Sequence, residues 1–429
     1  MLKQSSTPIP IHSSQLVIGL YVWLDLSWMD HPFLTSRIMV SSQKDIAMIS
    51  ATKADGRLYY YPDLSEVEPL TRCETPVQVP VKTAAEVSAA DLERAALRQE
   101  MQTLEGAKKE KLRVQRAAHA RADRNWEMAA RATREALLNL SRAPKTAGAQ
   151  LYALSQQTAA AIAAGQEILL HLLGDKKGQG PQFHALNVMS LAMLVGKVAG
   201  LTESELGDLA LGALMHDCGK TQIPHVILES AARRKFEEDI YREHVQFSVL
   251  FATESCAFTP EALAVIADHH ECLDGSGWPN GKKKLSRAAR ILALVNRYDR
   301  LCSPEAPNRD TLTPSEALAY LFQNQVSKYG IDLLSILIKL LGVYPPGTVV
   351  QLSDGSLALV VAPGTSSLQP RVLIYSPETT RDEAPTLDLA DEPSLKVAEA
   401  IRLSTLPPPV LEWMRPQQRL SYFWTEVSS

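Results

Sequence analysis

The sequence predicts a multidomain protein in which an all-α core is flanked by small β-rich segments. Between about residues 150 and 341, apolar residues recur with the 3.6-residue period of amphipathic helices. Both ends of the chain instead contain short runs of β-branched and aromatic residues, bounded by Gly and Pro. A stretch rich in Ala, Glu, Arg and Lys, which are strong helix formers, connects the N-terminal end to the core. These three observations define the predicted fold class.

A chain of 429 residues is too long for one ordinary domain, so we predict four segments. Residues 1–69 form a small β-rich N-terminal accessory domain, and residues 70–149 form a linker with a long charged helix. Residues 150–341 form the helical core, and residues 342–429 form a small β C-terminal module.

The composition argues against several partners and locations. A net charge of −4 gives no general attraction to nucleic acid or to an anionic membrane surface. No uninterrupted apolar run approaches the ~20 residues that span a bilayer, and the N-terminus lacks the apolar region of a signal peptide. The five cysteines are scattered and form no CxxC pair, which favours reduced thiols. We therefore expect a cytoplasmic protein without an integral membrane segment and without a nucleic-acid partner.

The N-terminal segment has the pattern of a small sheet. We predict strands over residues 15–24, 36–40 and 57–61, and a short helix over residues 42–50. We interpret His31 as a turn or surface histidine, because no residue nearby in the sequence could complete a metal site with it.

Residues 84–141 predict a long helix, which Pro144 is expected to end before a further helix over residues 150–173. A cluster of basic residues on this long helix has two interpretations. It is either a nucleic-acid patch or the solvated face of a connecting helix that transmits signals or forms a homodimer. Interleaved acidic and Ala residues favour the second interpretation. The basic residues are Lys108, Lys109, Lys111, Arg113, Arg116, Arg121 and Arg124.

Five predicted helices of the core each place a metal-binding type of side chain on an apolar, inward face. Successive members are 25–32 residues apart, about the length of one helix and its connection. A single buried histidine is usually a hydrogen-bonded core residue, but this recurrence favours a metal site inside a helical bundle. The residues are His184, His216, Asp217, His244, His269, His270 and Asn296.

Imidazole and carboxylate donors suit Fe or Mn, ahead of Zn or Ni. Two ions about 3.5–4 Å apart can share one carboxylate, lower the pKa of a bridging water and bind both oxygens of an in-line displacement. Asp217 is the carboxylate in this set, and Lys220, one turn after His216, can reach a phosphate oxygen. Asp217 and Lys220 are therefore the candidate catalytic residues, and phosphoester hydrolysis is the predicted reaction.

Polar residues mark where the core helices begin. Thr202 and Glu205 have the spacing of a capping box, and Thr259 and Thr313 each precede a proline at the first helical position. Ser286 is the predicted cap of the fifth helix.

After Gly342 the pattern changes to strands. Residues 348–352 and 357–362 are predicted strands joined by a hairpin turn at Asp354-Gly355, and a further strand covers residues 371–375.

Two motifs of the core resemble those of the HD-GYP subfamily of HD-domain phosphohydrolases. The first is His216-Asp217-Cys218-Gly219-Lys220 with Ile223-Pro224, and the second is His269-His270-Glu271 with Asp274-Gly275-Ser276-Gly277-Trp278-Pro279. The resemblance covers roughly residues 184–341, and the N-terminal segment is similar to the small domain that often precedes this core. It implies an all-α HD-type core, bound metal ions and hydrolysis of the bacterial second messenger cyclic di-GMP.

The resemblance also implies a role for each residue that matches the motifs. The implied metal ligands are His184, His216, Asp217, His244, His269, His270 and Asn296. The implied substrate-binding residues are Lys220, Asp274, Gly275, Gly277, Trp278 and Pro279.

The chain departs from the family pattern at four places. Asn296 stands where the family has an aspartate ligand, and Trp278 stands where the family has tyrosine. The family's Arg-Pro-Tyr-Arg-like segment is replaced by residues 302–307. Gly180 stands where members with three metals carry a glutamate, so we predict two divalent ions.

Two functions from different classes remain open. The first is a cyclic di-GMP phosphodiesterase that yields the linear dinucleotide, GMP or both. The second is a catalytically degenerate scaffold that binds cyclic di-GMP, or a diguanylate cyclase of the GGDEF type, without hydrolysis. The retained histidines and Lys220 favour hydrolysis over the scaffold. An HD enzyme acting on mononucleotides is disfavoured by the loop between Glu271 and Pro279.

Overall fold

The computed structural model describes most of the chain in two compact units. The described residues are 7–26, 30–33, 35–52, 54, 56–71, 84–163, 180–303, 312–377, 379–381, 384, 386–392 and 395–414. The first unit comprises residues 1–117, 351–358 and 373–387, and the second comprises residues 118–350, 359–372 and 388–429. No helix among the described residues is both long enough and apolar enough to cross a membrane.

The secondary structure is mostly helical, with strands near both ends. The strands are β1 (Ile9–Pro10), β2 (Tyr21–Leu24), β3 (Arg37–Met39), β4 (Leu58–Tyr60), β5 (Val349–Leu352), β6 (Leu357–Ser366), β7 (Gln369–Ile374), β8 (Thr386–Asp388) and β9 (Val397–Ile401). The helices are α1 (Gln43–Ala51), α2 (Ala84–Asn139), α3 (Pro144–Ala163), α4 (Pro181–Val198), α5 (Glu203–Met215), α6 (His225–Glu229), α7 (Lys235–Arg242), α8 (His244–Ser255), α9 (Pro260–Ala267), α10 (Arg287–Cys302), α11 (Pro314–Asn324), α12 (Val326–Tyr329), α13 (Ile331–Leu341) and α14 (Pro408–Met414).

The N-terminal strands form an antiparallel sheet in the order β1-β4-β2-β3. Val22 of β2 lies opposite Ile38 on one side and Tyr60 on the other. Because side chains alternate along a strand, Val22 and Leu24 point to the same face and are fully buried. Helix α1 adds Ile49 to this small core. The predicted strands over residues 36–40 and 57–61 and the short helix are therefore present, while the strand predicted over residues 15–24 is shorter.

The C-terminal strands form a second sheet in the order β8-β7-β6-β5-β9. The predicted hairpin between β5 and β6 is confirmed: the Leu352 amide donates to the Ser356 carbonyl oxygen at 2.8 Å. Gly355 has φ of +80°, a conformation that favours glycine. Strands β8 and β9 and helix α14 were not predicted from the sequence.

Helix α5 is the central helix of the second unit and packs against α3, α4, α9 and α10. Its buried face includes Leu209 and Ala213, both fully buried. A Cβ atom on Gly212 would lie 2.6 Å from Cγ1 of Val265 on α9, so the glycine permits a close approach of the two helices. This approach brings together the residues at their C-terminal ends, where the His216 and His269 rings lie 5.0 Å apart.

The predicted caps of the core helices are confirmed. Thr202 and Glu205 form a capping box at the start of α5, in which Glu205 N donates to Thr202 Oγ1 and Thr202 N donates to Glu205 Oε2. Thr259, Ser286 and Thr313 cap α9, α10 and α11 in the same way through their hydroxyl oxygens. The sequence could reveal these boundaries because capping depends on residues only two or three positions apart.

Three local predictions need correction. Pro144 does not close the preceding segment but begins α3, where its fixed φ and missing amide hydrogen are tolerated. Residues 15–24 are not one strand, because only the last four of them form β2. The predicted helix over residues 150–173 begins earlier, at Pro144, and residues 164–173 lie outside the described residues.

The environments of two basic residues also differ from the sequence interpretation. His31 is fully buried rather than at the surface. Lys108 is buried as well, and its ammonium donates to the carbonyl oxygens of His31 at 2.9 Å and Phe33 at 2.6 Å. The other six members of the basic cluster on α2 are exposed.

Candidate metal centre

The side chains predicted to bind metal come from the ends and faces of five helices of the second unit. His216 caps the C-terminus of α5 and Asp217 follows it directly. His244 is the first residue of α8, and His269 follows the end of α9. His184 lies in the first turn of α4, while Asn296 lies within α10. The helix ends and the buried helix faces therefore determine the backbone position from which each of these side chains extends.

Two sets of these side chains lie close enough to hold a metal ion. The first donor group is His184, His216 and Asp217, and the second donor group is Asp217, His244, His269 and His270. Within each group, the donor atoms all lie within 4.8 Å of one another. Asp217 belongs to both groups, as expected for a shared carboxylate.

In the first donor group, three atoms form a tight triangle. The Nε2 atoms of His184 and His216 are 3.2 Å apart, and each lies 3.3 Å from Oδ2 of Asp217. When both imidazoles are neutral with hydrogen on Nδ1, all three atoms are hydrogen-bond acceptors. Three acceptor atoms this close together repel one another unless a positive charge lies near them.

In the second donor group, the histidines face the other oxygen of Asp217. Nε2 of His244 lies 3.4 Å from Oδ1 of Asp217, and Nε2 of His269 lies 3.9 Å from it. The His269 and His270 rings are 4.1 Å apart, which keeps His270 beside the same group.

Hydrogen bonds at Nδ1 orient the imidazoles. His216 Nδ1 lies 2.8 Å from the Ala213 carbonyl oxygen, and His244 and His269 each make a 2.6 Å contact with the carbonyl oxygen three residues earlier. These carbonyls can only accept, so Nδ1 carries the hydrogen and the Nε2 lone pair is left for a metal.

His184 is oriented by a carboxylate instead. Its Nδ1 lies 2.6 Å from Oδ2 of Asp299, and the Asn187 amide donates to Oδ1 of the same carboxylate at 3.4 Å. Asp299 was not singled out as a site residue from the sequence. In metal sites a carboxylate behind a histidine typically fixes its tautomer and raises its basicity.

Several buried donor atoms have no hydrogen-bond partner among the described residues. Burying such atoms costs free energy unless another group satisfies them. Nitrogen and carboxylate oxygen donors of this kind are satisfied by Fe, Mn, Zn or Ni, so the residues present fit a divalent ion. The atoms are Oδ1 of Asp217, Nε2 of His244, Nε2 of His269, Nε2 of His270 and Oδ1 of Asn296.

Burial keeps the histidines in the neutral form that binds metal. It lowers the pKa of His216 and His244 below 6.5. For His269 and His270, burial and then the neighbouring imidazoles hold the pKa well below that value. Neutral imidazoles need not release a proton before they coordinate a metal.

Asp217 is ionised despite its burial. Burial raises the pKa of its carboxyl group, but the positive charges of Lys220 and Arg300, together with His216, outweigh it and hold the pKa well below 3.8. Nζ of Lys220 donates to Oδ2 at 2.8 Å, and the Arg300 guanidinium donates to the same oxygen. The sequence singled out Lys220 as a candidate catalytic residue but not as a partner of Asp217. It did not single out Arg300, although Arg300 lies one turn after Asn296 on α10 and therefore shares its face.

The predicted substrate-binding loop lies partly beside the donors. The Trp278 ring stacks on His270, with 3.9 Å between ring centroids and 19° between planes. The Trp278 and His244 rings are nearly perpendicular, with 5.5 Å between their centroids. The Arg242 guanidinium lies 5.4 Å from the centroid of the Trp278 ring. Pro279 follows through a cis peptide bond and is exposed. Trp278 therefore forms a flat aromatic wall next to the second donor group.

The remaining loop residues shape the backbone. Oδ1 of Asp274 accepts from the Ser276 amide at 2.9 Å, which closes a tight turn. Gly275 has φ of +80°, and a Cβ atom on Gly277 would lie 2.4 Å from the backbone nitrogen of Cys272. Glu271 accepts hydrogen bonds from the amides of Asn280 and Lys282. No described contact joins Asp274 or Gly275 to the donor groups.

Tyr241 is a further residue that the sequence did not single out. Its carbonyl oxygen orients His244, and its ring lies under the Arg233 guanidinium at 3.8 Å. Nζ of Lys220 lies 5.3 Å from the centre of the same ring. Tyr241 therefore helps to position both a candidate ligand and the candidate catalytic lysine.

Two family models together match most of the chain. Residues 152–333 match the HD domain, and residues 9–150 match DUF3391, a domain of unknown function.

Curated proteins similar to the chain act on cyclic dinucleotides. A cyclic di-GMP phosphodiesterase of Pseudomonas aeruginosa is 26% identical over 196 residues, which cover 45% of this chain and 47% of that protein. A cyclic di-GMP phosphodiesterase response regulator of Xanthomonas campestris pv. campestris is 32% identical over 31% of this chain and 36% of that protein. A 3'3'-cGAMP-specific phosphodiesterase of Vibrio cholerae serotype O1 is 27% identical over 40% of this chain and 37% of that protein. The chain spans about half the length, or less, of these relatives.

Among solved structures, an HDG"Y"P protein from Bdellovibrio bacteriovorus matches with a TM-score of 0.40 and 15% identity. The match covers 77% of this chain and 97% of that chain.

Proposed function

The chain is an HD-GYP-type protein, and from this we propose that it is a metal-dependent phosphodiesterase that hydrolyses cyclic di-GMP to the linear dinucleotide, GMP or both. The observation that carries the proposal is the set of buried, unpartnered donor atoms of Asp217 and three histidines. A protein interior rarely leaves so many polar atoms unsatisfied unless a ligand completes them.

We assign the metal ligands to both donor groups, with the Asn296 amide oxygen as an additional, uncharged donor. A divalent ion held there would act as a Lewis acid on a phosphate oxygen and supply a water of lowered pKa. The hydrogen bonds at Nδ1 fix each imidazole before metal arrives, so little reorganisation accompanies binding.

Lys220 and Arg300 supply the positive charge that a phosphodiester needs. Both cations lie against Asp217, where a substrate phosphate bound at the centre would come within reach of them. Trp278 offers a flat aromatic surface at the same place, and aromatic side chains bind nucleobases by stacking. Asp274, Gly275, Gly277 and Pro279 would contribute by holding this loop in shape.

Cyclic di-GMP is the first substrate to test, because two of the relatives described above are named for it. A 3'3'-cGAMP-specific relative makes that mixed dinucleotide the necessary comparison. The alternative function, a scaffold that binds a cyclic dinucleotide or a GGDEF-type diguanylate cyclase without hydrolysis, is favoured by one observation. Asn296 brings no negative charge, so Asp217 is the sole carboxylate of the two donor groups.

The deciding experiment combines metal analysis with turnover of cyclic di-GMP and 3'3'-cGAMP by the purified protein in the presence of Mn²⁺ or Fe²⁺. We expect bound metal and cleavage of cyclic di-GMP. His216→Ala and Asp217→Ala should each reduce turnover by about 100-fold or more while the helical content stays unchanged, because each removes a ligand.

His225→Ala is the matched control, since His225 is an exposed histidine of the same helical core that pairs with Glu229 at 3.2 Å. Its turnover should equal that of the unaltered protein. Bound metal and bound dinucleotide without cleavage would identify the scaffold instead. Wild-type turnover in Asp217→Ala would show that the centre is elsewhere.

The remaining proposals concern the protein beyond its centre. Four sequence-based expectations stay predictions: a GGDEF-type partner, a homodimer formed through α2, a cytoplasmic location and the boundaries of the four segments.

A further inference from the structure

We propose that Arg300 takes the place of a second metal ion on Asp217 and so limits the centre to one tightly bound ion. This inference rests on the proposed metal-dependent function and refines it, because the sequence alone predicted two ions. It locates the tight ion in the second donor group and assigns the first donor group a weak one.

The two carboxylate oxygens of Asp217 differ in their hydrogen bonds. Each carboxylate oxygen has about two lone-pair directions. Oδ2 accepts from Lys220 at 2.8 Å and from the Arg300 guanidinium, so both directions are in use. Oδ1 is buried and has no hydrogen-bond partner among the described residues. An ion can therefore bind Oδ1 directly, whereas an ion at Oδ2 must displace a cationic side chain.

The cations at Oδ2 of Asp217 favour the same side, although the Asp299 carboxylate behind His184 offsets part of their charge. The first donor group shares its single carboxylate, Asp217, and two cationic side chains already neutralise the oxygen that faces it. A divalent ion in this group would meet two positive charges at close range in a partly buried site, where water screens poorly. The side chains of Arg300 and Asp217 are only 17% and 10% exposed.

In the second donor group, no cationic side chain among the described residues donates to the facing oxygen of Asp217, Oδ1. The Nε2 atoms of His244, His269 and His270 are all buried without a partner among the described residues, and those of His244 and His269 lie 3.4 Å and 3.9 Å from Oδ1 of Asp217. Three neutral imidazoles and one carboxylate oxygen make a complete set of four donors for one divalent ion. The tight ion is therefore placed here.

Helix α10 positions Arg300 for this role. Ser286 fixes the start of the helix, and Asn296, Asp299 and Arg300 follow on one side of its last two turns. Asp299 holds His184 while Arg300 holds Asp217, so one helix restrains two members of the first donor group. This arrangement places the guanidinium beside Oδ2 of Asp217.

The test loads the full-length protein with Mn²⁺ and counts the ions per chain that remain after exhaustive dialysis against metal-free buffer. Titration calorimetry then measures the affinity of each ion. For the unaltered protein we expect one ion that survives dialysis and a second that binds at least tenfold more weakly. Arg300→Met replaces the aliphatic part of the arginine side chain but removes its charged end, and this variant should retain two ions. Arg300→Gln should do the same.

Arg297→Met is the matched control. Arg297 lies on the same helix, carries the same charge and contacts Tyr320 instead of Asp217, so its stoichiometry should stay at one. Circular dichroism and the melting temperature must show that each variant is folded, and at least one of the two Arg300 variants must pass.

Two tight ions in the unaltered protein would overturn the inference, as would an unchanged second affinity in a folded Arg300 variant. The outcome is separable from that of the proposed function. A gain of one ion in Arg300→Met supports the inference even if no dinucleotide is cleaved. Cleavage of cyclic di-GMP with two tight ions supports the phosphodiesterase and refutes the role of Arg300.

Discussion

Asp217 connects the two donor groups through its two oxygens, and its neighbours decide what each oxygen can bind. Lys220 and Arg300 bind one oxygen, while the other faces His244 and His269. The inward positions of the histidines and Asp217 could be predicted from the sequence, because helical periodicity places them on buried faces. Arg300 could not, since nothing local shows that its side chain reaches a residue 83 positions earlier.

At the residue scale, Asn296→Asp tests the main departure from the family pattern. Oδ1 of Asn296 is buried and has no partner among the described residues, as expected for a ligand atom. A carboxylate there would add negative charge opposite the ion, so metal binding should tighten about tenfold or more, the scale of ligand-shell effects on affinity. Metal titration checks this, and turnover should rise if metal occupancy limits the unaltered protein.

The same variant separates three roles for Asn296. Tighter metal without hydrolysis would indicate a core adapted for binding. If Asn296 is only a core amide away from the ion, a buried aspartate should lower the free energy of unfolding by roughly 2 kcal/mol or more and leave metal affinity unchanged. Unchanged metal affinity would therefore contradict the assignment of Asn296 as a ligand.

His31 predicts a pH dependence of stability. Burial, and next the charge of Lys108, lower its pKa from 6.5 to about 3 in the folded protein. The unfolded chain therefore binds more protons between pH 6.5 and about 3, so stability is fully present above pH 6.5 and falls as the pH drops. The fall should reach roughly 1.4 kcal/mol per pH unit.

Urea unfolding followed by Trp fluorescence between pH 7 and pH 4.5 measures this slope. His31→Gln should lower stability at pH 7 but flatten the slope, because the variant has no titrating ring. His12→Gln is the control, since His12 lies in an exposed turn next to Ser14. If the free energy of unfolding falls with pH equally steeply in the unaltered protein and in His31→Gln, the prediction is contradicted.

At the scale of single elements, local signals were reliable and long-range ones were not. The caps of α5, α9, α10 and α11 depend on residues within one turn, and the sequence predicted all of them. Strands β8 and β9 depend on pairing with strands elsewhere in the second sheet, and short runs such as Thr386–Asp388 carry too little pattern to reveal it.

The loop from Glu271 to Pro279 yields a further prediction at this scale. A Cβ atom at position 277 would lie 2.4 Å from the Cys272 nitrogen and 2.5 Å from the Glu271 Cα, both of them backbone atoms. Gly277→Ala must therefore shift the loop and move Trp278 from its place on His270. We expect a loss of dinucleotide affinity of about tenfold, measured by equilibrium binding, with the metal content unchanged.

Gly106→Ala is the control for that variant. A Cβ atom there would meet nothing within 4 Å, and the position is exposed on α2. It should leave dinucleotide binding unchanged and raise stability by roughly 0.4–1 kcal/mol, because alanine restricts the unfolded chain. If Gly277→Ala binds dinucleotide as tightly as Gly106→Ala, the close approach at Gly277 does not position the loop.

At the scale of the whole molecule, the second unit contains every candidate donor and one large hydrophobic cluster. The cluster joins helices α3, α4, α5, α9, α10 and α13, but it also includes Trp126 of α2 and Leu140, the residue that follows the end of α2. Trp126 is 1% exposed and its ring lies 6.1 Å from that of Phe183. The sequence could not show this, because apolar residues on the charged helix are too sparse to give a periodic face.

This packing predicts how fragments of the chain should behave. A fragment of residues 118–341 keeps Trp126 in the cluster together with all candidate donors, so it should fold and bind as much metal per chain as the full protein. A fragment of residues 150–341 also keeps the donors but loses Trp126, Leu140 and the start of α3. Its free energy of unfolding should be lower by roughly 3 kcal/mol or more, the scale of removing one large buried side chain. Metal analysis and thermal unfolding of both fragments test this. A folded 118–341 fragment without metal would place a ligand outside these residues, and equal stability of the two fragments would show that α2 contributes nothing to the core.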